Sequence, residues 1–251
     1  MQTLTGKTAI VTGAGQGVGL GIAQALADAG AALTITGRDA DKLQAAAKSL
    51  RERGAQVLAR PADARKRADA DATVAATIER FGRLDIVVNN AQSSVPGMML
   101  EQLDDATIAL TLESGLLGTI YHMQAALPHL KKQGGSIINL GSREGIIGGA
   151  GFGIYAATKE AIRGLSRSAA REWGRYGVRV NVICPAALSP AAVQFFAKNP
   201  GAEEYYNSTT SLGRMGDPLA DIGPVAVFLA SDASVYVTGQ TVNADGGQTM
   251  L

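Results

Sequence analysis

The chain is poor in cysteine and histidine and carries no excess of charge of either sign. Cys184 is the only cysteine in 251 residues, so no intrachain disulfide can form and no cysteine-based metal cluster is available. A reducing, cytoplasmic setting is therefore expected. His122 and His129 are too few to build a metal site, and both fall in a stretch with helical apolar spacing, so a structural role is expected and no metal is assigned. The 23 basic and 22 acidic side chains nearly cancel, which gives no support to a nucleic-acid or anionic-membrane partner. Long apolar spans are missing too. The start, Met1-Gln2-Thr3-Leu4-Thr5-Gly6-Lys7, runs straight into a strand-like segment without the charged and apolar parts of a leader. Neither export nor membrane insertion is expected, and a small-molecule ligand fits better.

What is present is apolar and regular. An apolar fraction of 46% against 18% charged residues is ample for the core of one domain. Short continuous apolar runs, at residues 8–11, 32–36, 56–59, 85–89, 136–140, 179–183 and 241–243, read as strands covered on both faces. Segments of helical period fill the gaps, at 17–29, 40–53, 64–81, 104–132, 152–175 and 219–231. Gly30 and Gly54 close two of these helices where a left-handed residue costs little. Strands alternating with crossovers predict an α/β fold, a doubly wound parallel sheet of Rossmann type in a single domain. Residues 186–216 are the least patterned part. They are rich in Ala, Pro, Asn and Ser, contain Phe195, Phe196, Tyr205 and Tyr206, and are read as a substrate loop.

Two groups of residues carry chemistry. The first is Thr12-Gly13-Ala14-Gly15-Gln16-Gly17-Val18-Gly19, between the first strand and the first helix. There the backbone turns sharply and free N–H groups at a helix start face an anion such as a diphosphate. Gly13, Gly15, Gln16, Gly17, Val18 and Gly19 are accordingly read as cofactor-binding, although the spacing is not G-x-G-x-x-G. The second strand ends at Gly37-Arg38. A carboxylate at such a tip accepts from the ribose hydroxyls of NAD, whereas a guanidinium accommodates the 2′-phosphate of NADP. Arg38 therefore predicts NADP(H) over NAD(H). Asp63, after the third strand, either accepts from the adenine amino group or caps the following helix.

The second group is Ser142 with Tyr155 and Lys159. A phenol titrates near pH 10, too high for a base at neutral pH unless its anion is stabilised. Lys159 follows Tyr155 by one helical turn, so the two share a face, and the ammonium, with the positive nicotinamide of an oxidised cofactor, is expected to lower the phenol's pKa. Ser142, at a strand end, can donate to a substrate oxygen.

Together these landmarks make the chain resemble the classical short-chain dehydrogenase/reductase family over essentially its full length. The resemblance rests on the glycine loop, on Asn89-Asn90-Ala91 after the fourth strand, on Ser142, on Tyr155 with Lys159, on Asn181 with Pro185, and on Thr238-Gly239-Gln240 and Asp245-Gly246-Gly247. It implies hydride transfer between a nicotinamide and a carbonyl carbon, with Tyr155 passing the proton, Ser142 steadying the oxygen and Lys159 holding the ribose. It adds Asn89, Ala91, Pro185 and Leu188 to the cofactor contacts and implies a homotetramer. Three positions depart from the family pattern. Gly115 stands where the resemblance places a catalytic asparagine, and a water held by Ser114 or by freed backbone is expected to replace that amide. Gln92 stands where glycine is usual. Pro185-Ala186-Ala187-Leu188-Ser189-Pro190 replaces a Pro-Gly and threonine segment near the carboxamide. Arg143 and Glu144, beside Ser142, either pair at the pocket mouth or contact a polar substrate. Two alternatives stand beside the NADP(H) reading, an NAD-linked alcohol dehydrogenase and a catalytically weak dinucleotide-binding protein.

Overall fold

Short runs of Val, Ile and Leu lie side by side as parallel strands because each is flanked on both faces by an amphipathic helix. The computed structural model describes residues 3–250, apart from the side chains of Ala191 and Phe195. The strands are β1 (Thr8–Val11), β2 (Ala32–Gly37), β3 (Val57–Pro61), β4 (Ile86–Asn89), β5 (Gly135–Leu140), β6 (Val178–Pro185) and β7 (Thr241–Ala244). They form one parallel sheet in the order β3-β2-β1-β4-β5-β6-β7. The chain winds outward from β1 in one direction and from β4 in the other. The order therefore reverses between these neighbours, whose register runs from Ala9↔Ile86 to Val11↔Val88. A crevice opens at the carboxyl ends of strands where such a reversal occurs.

Alternation along each strand divides the core. Ala9, Val11, Ile86, Val88, Ile138 and Leu140 pack on one face with α1 (Gly17–Asp28), α2 (Ala40–Glu52) and α10 (Gly223–Ala230). Ile10, Val87 and Ile137 pack on the other face with α3 (Arg67–Phe81), α5 (Gly118–Leu130) and α7 (Gly153–Trp173). Gly30 and Gly54 take φ of +96° and +85°, as expected of helix-ending glycines.

Three differences from the sequence reading have local causes. The single helix expected over 104–132 is α4 (Asp105–Leu112), capped by Asp104 on Thr107 N, then a π turn over Glu113–Leu117, then α5. The 186–216 segment contains two helices, α8 (Pro190–Lys198) and α9 (Ala202–Ser208). Ser189 caps α8 on Ala192 N and Pro190 opens it, a start signal that lacks a long periodic stretch behind it. Ser142 caps a five-residue helix, α6 (Arg143–Ile147), by accepting from Glu144 N.

A buried polar chain crosses from sheet to helix. Asn89 Nδ2 donates to Asn139 Oδ1 at 2.8 Å, Asn139 Nδ2 to Ser166 Oγ at 2.8 Å, and Ser166 Oγ to Ile162 O at 2.7 Å. It fastens β4 and β5 to α7, the helix that carries Tyr155 and Lys159.

Candidate active site

The crevice at the reversal holds a cavity of about 510 Å³. Its floor is the glycine loop. Gly13 and Gly17 have φ of +66° and +60°, a region that L side chains rarely enter. A Cβ on Gly13 would lie 2.9 Å from Ala91 Cα, and one on Gly19 would land on Asn90 Nδ2 and lie 2.6 Å from Gly13 O. The loop is held from the other strand. Asn90 Nδ2 donates to Thr12 O and Gly13 O, while Asn90 N and Ala91 N both donate to Thr12 Oγ1 at 3.0 Å. Gln16, at the start of α1, makes no side-chain cap. The glycines thus leave a backbone-lined channel at a helix N-terminus, a shape and polarity that fit a dinucleotide diphosphate.

Gly15, Gln16, Val18, Arg38, Asp63 and Ala91 line the same cavity as Gly13, Gly17 and Gly19. Arg38 is exposed and donates to Ser93 Oγ at 3.3 Å. Asp63 does not cap α3. Its carboxylate is gripped by Arg65 through Nε and Nη2, the shortest contact being 2.6 Å, and this hydrogen bonding holds its pKa below the usual carboxylate range. Lys42 and Asp39 also line this end, and Asp39 caps α2 by accepting from Lys42 N. No motif singles out Lys42; the first turn of α2 brings it against Gly15.

Some expected contacts fall elsewhere. Asn89 is buried and its amide serves the polar chain to α7, so its neighbour Asn90 meets the glycine loop. One step along a strand end reverses the side-chain direction. Ser189 and Pro190 line the cavity, with Pro190 Cδ 3.3 Å from a Cβ built on Gly17, whereas Pro185 and Leu188 are not among its walls. Ser114 Oγ accepts from Ser93 N at 2.9 Å and donates to Leu110 O at 2.7 Å, so its hydroxyl is already committed. Arg143 and Glu144 form the ion pair, at 3.1 Å.

Ser142, Tyr155 and Lys159 come together at the ends of β5 and α7. Ser142 accepts from Glu144 N at 3.2 Å, and its hydroxyl favours the Tyr155 anion. Lys159 is buried beneath the Tyr155 ring, its Nζ 5.5 Å from the ring centroid and 2.9 Å from Leu140 O, to which it donates. The protein's own groups act on the phenol in both directions. Burial raises the Tyr155 pKa above its ordinary value, Ser142 opposes this, and Glu144 adds to it. Burial also disfavours the charged form of Lys159 and takes it from 10.5 to about 8.

That shift has a measurable consequence. It corresponds to about 3 kcal/mol against the charged form, present in full below pH 8 and relieved as pH rises toward 10.5. Lys159→Met is expected to stabilise the protein at pH 7 by up to about 3 kcal/mol. Denaturant titrations should show the gap between the two proteins closing between pH 8 and 10.5; a gap independent of pH would refute the assignment. Cys184, raised to about 11 by burial, titrates in an overlapping range with opposite sign and is electrostatically coupled to Lys159, so the gap is read with Cys184 replaced by Ala in both proteins.

His122 is buried with Nδ1 2.9 Å from Gly118 O, a structural placement, and no group of three His, Cys, Asp or Glu suited to a metal occurs among the described residues. No described helix is long and apolar enough to cross a membrane.

Known proteins resemble the chain in both sequence and fold. Residues 13–249 match the model of a family described as enoyl-(acyl carrier protein) reductase. A 12alpha-hydroxysteroid dehydrogenase from a Clostridium species is 40% identical over 254 residues, covering 98% of each chain. An L-fucose dehydrogenase from Oryctolagus cuniculus is 39% identical over 246 residues, covering 96% of this chain and 84% of the relative. Among solved structures, a short-chain type dehydrogenase/reductase from Mycobacterium ulcerans superposes with a TM-score of 0.92 at 33% identity, covering 98% and 90% of the two chains.

Proposed function

The chain belongs to the classical short-chain dehydrogenase/reductase family, oxidoreductases acting on CH–OH and C=O groups, and from that premise we propose that it interconverts a carbonyl and an alcohol with NADP(H), Tyr155 passing the proton. One observation carries the chemistry: the Ser142 hydroxyl is placed where it favours the Tyr155 phenolate, and Lys159 Nζ lies 5.5 Å from the centre of the phenol ring. In the direction of reduction Tyr155 gives its phenolic proton to the substrate oxygen, and Ser142, whose acceptor side is held by Glu144 N, donates its own hydrogen to that oxygen. Lys159 then returns the phenolate toward neutrality and holds the cofactor's nicotinamide ribose. The dinucleotide, when bound, supplies or takes the hydride and, in its oxidised form, a positive ring. The glycine loop, Asn90 and Ala91 hold its diphosphate end.

The preference for NADP(H) rests on Arg38 and Lys42, two cations at the end of the cavity where Gly37 closes β2. Asp39 stands at the same end and supports the NAD-linked alternative. Arg38→Ala separates them. The variant is expected to lose about tenfold or more in kcat/KM with NADPH and to keep its rate with NADH, a loss the size of one charge-assisted phosphate contact. An unchanged cofactor ratio would refute the preference.

The apolar rim suggests the substrate class. Phe152 packs against Tyr155 with ring centroids 6.0 Å apart, and Leu100 is 72% exposed with its Cδ1 3.2 Å from a Cβ built on Gly153. An apolar, ring-bearing carbonyl or alcohol suits this rim, in line with the hydroxysteroid relative. Helices α8 and α9, where Phe196 and Tyr206 meet at 5.5 Å between ring centroids, form the substrate loop. The reading includes a cytoplasmic homotetramer. Phe228, Val235 and Tyr236 are exposed apolar side chains available to such an assembly.

A further inference from the structure

The two departures at Gln92 and Gly115 meet in space. Gln92 lies in the loop after β4, and its Nε2 donates to Thr111 O, in the last turn of α4 just before the π turn, and to Ser93 O beside it, both at 3.0 Å. Its Oε1 is buried and has no hydrogen-bond partner among the described residues. A Cβ built on Gly115 would land on that oxygen, 2.8 Å from Gln92 Cδ and 2.7 Å from Thr158 Cγ2. Thr158 is fully buried and precedes Lys159 on α7. Glycine at 115 is thus the only residue that leaves the Gln92 amide its place.

We propose that Gln92 is a positioning residue: its carboxamide, reaching in from the β4 loop, takes the place of a side chain on position 115 and holds the π turn against the part of α7 that carries Lys159. The absent amide at 115 and the added amide at 92 are then a single reciprocal exchange, with the polar group supplied from the strand side of the gap instead of the helix side. Ser114 supports the same contact through its bridge from Ser93 N to Leu110 O. This inference rests on the reading that Tyr155 and Lys159 do the chemistry.

The test returns the amide to the helix. In a Thr158→Ser background, which removes the methyl that a new Cβ would meet, Gln92→Gly, Gly115→Asn and the double variant are compared. Each single change is expected to lower kcat by about tenfold, and the double variant to recover to within about threefold of the background protein. Losses that multiply in the double variant would overturn the proposal. Gln92→Met keeps the volume and removes both hydrogen-bonding functions. It should keep the melting temperature, lower kcat with little change in KM, and shift the pH profile of kcat; a parent-like profile would overturn the part given to the amide. If the parent turns over no carbonyl or alcohol, the proposed function has failed on its own. The exchange is then read in NADPH affinity: single changes weaken binding and the double variant restores it, whereas additive losses overturn it.

Discussion

Tyr155→Phe is expected to lower turnover by about three orders of magnitude, the middle of the range for removing a positioned acid–base group, while NADPH affinity stays within about twofold. The substitution deletes one oxygen and keeps the ring, so the contacts with Phe152 and with Lys159 Nζ survive. Stability at neutral pH should change little, because the phenol is neutral in both the folded and unfolded chain, its raised pKa carries no cost there, and the ring is kept. A melting curve, a dinucleotide titration and single-turnover kinetics on one preparation decide the matter. Turnover within about tenfold of the parent would remove Tyr155 from the proton step. Loss of cofactor affinity together with turnover would instead show a disturbed site.

Gly19→Ala is expected to have the second largest effect. One methyl group there lands on Asn90 Nδ2 and lies 2.6 Å from Gly13 O, and neither can move freely. Asn90 is fixed by its bonds to Thr12 O and Gly13 O, and Gly13 holds a φ that only glycine adopts easily. Overpacking of this kind costs about 1–3 kcal/mol of stability. Displacing the loop should also cost about 100-fold in dinucleotide affinity, since the N–H groups no longer converge on one diphosphate. Calorimetric titration with NADPH and a urea melt measure the two effects. Parent-like affinity would show that the loop does not hold the cofactor.

The parts of this protein that were readable in sequence are those set by local period and by fixed spacing. Continuous apolar runs gave the parallel strands, and Gly30 and Gly54 marked true helix ends. The four-residue interval from Tyr155 to Lys159 placed both on one face of α7 because α7 is an unbroken helix of 21 residues. What escaped depends on tertiary neighbours. The identity of the asparagine facing the loop turned on the last step of β4, where Asn89 enters the core and Asn90 faces Thr12. Lys42 joins the cavity only because α2 folds back on Gly15. The π turn at Glu113–Leu117 changes the rotation of a helix whose apolar period runs straight through it. The burial that raises the Tyr155 pKa, with Glu144 acting in the same direction, is not reported by one-dimensional spacing.

The amide-to-hydroxyl chain from Asn89 through Asn139 to Ser166 has a bearing on how the enzyme can change. It clocks α7 about its own axis from a point nearly two turns beyond Lys159, well away from any residue that touches substrate. Mouth loops can therefore be rebuilt for new ligands without re-aiming the phenol. Conversely, a lesion at Asn139 would masquerade as an active-site defect in a mutational screen while sitting in the middle of the sheet.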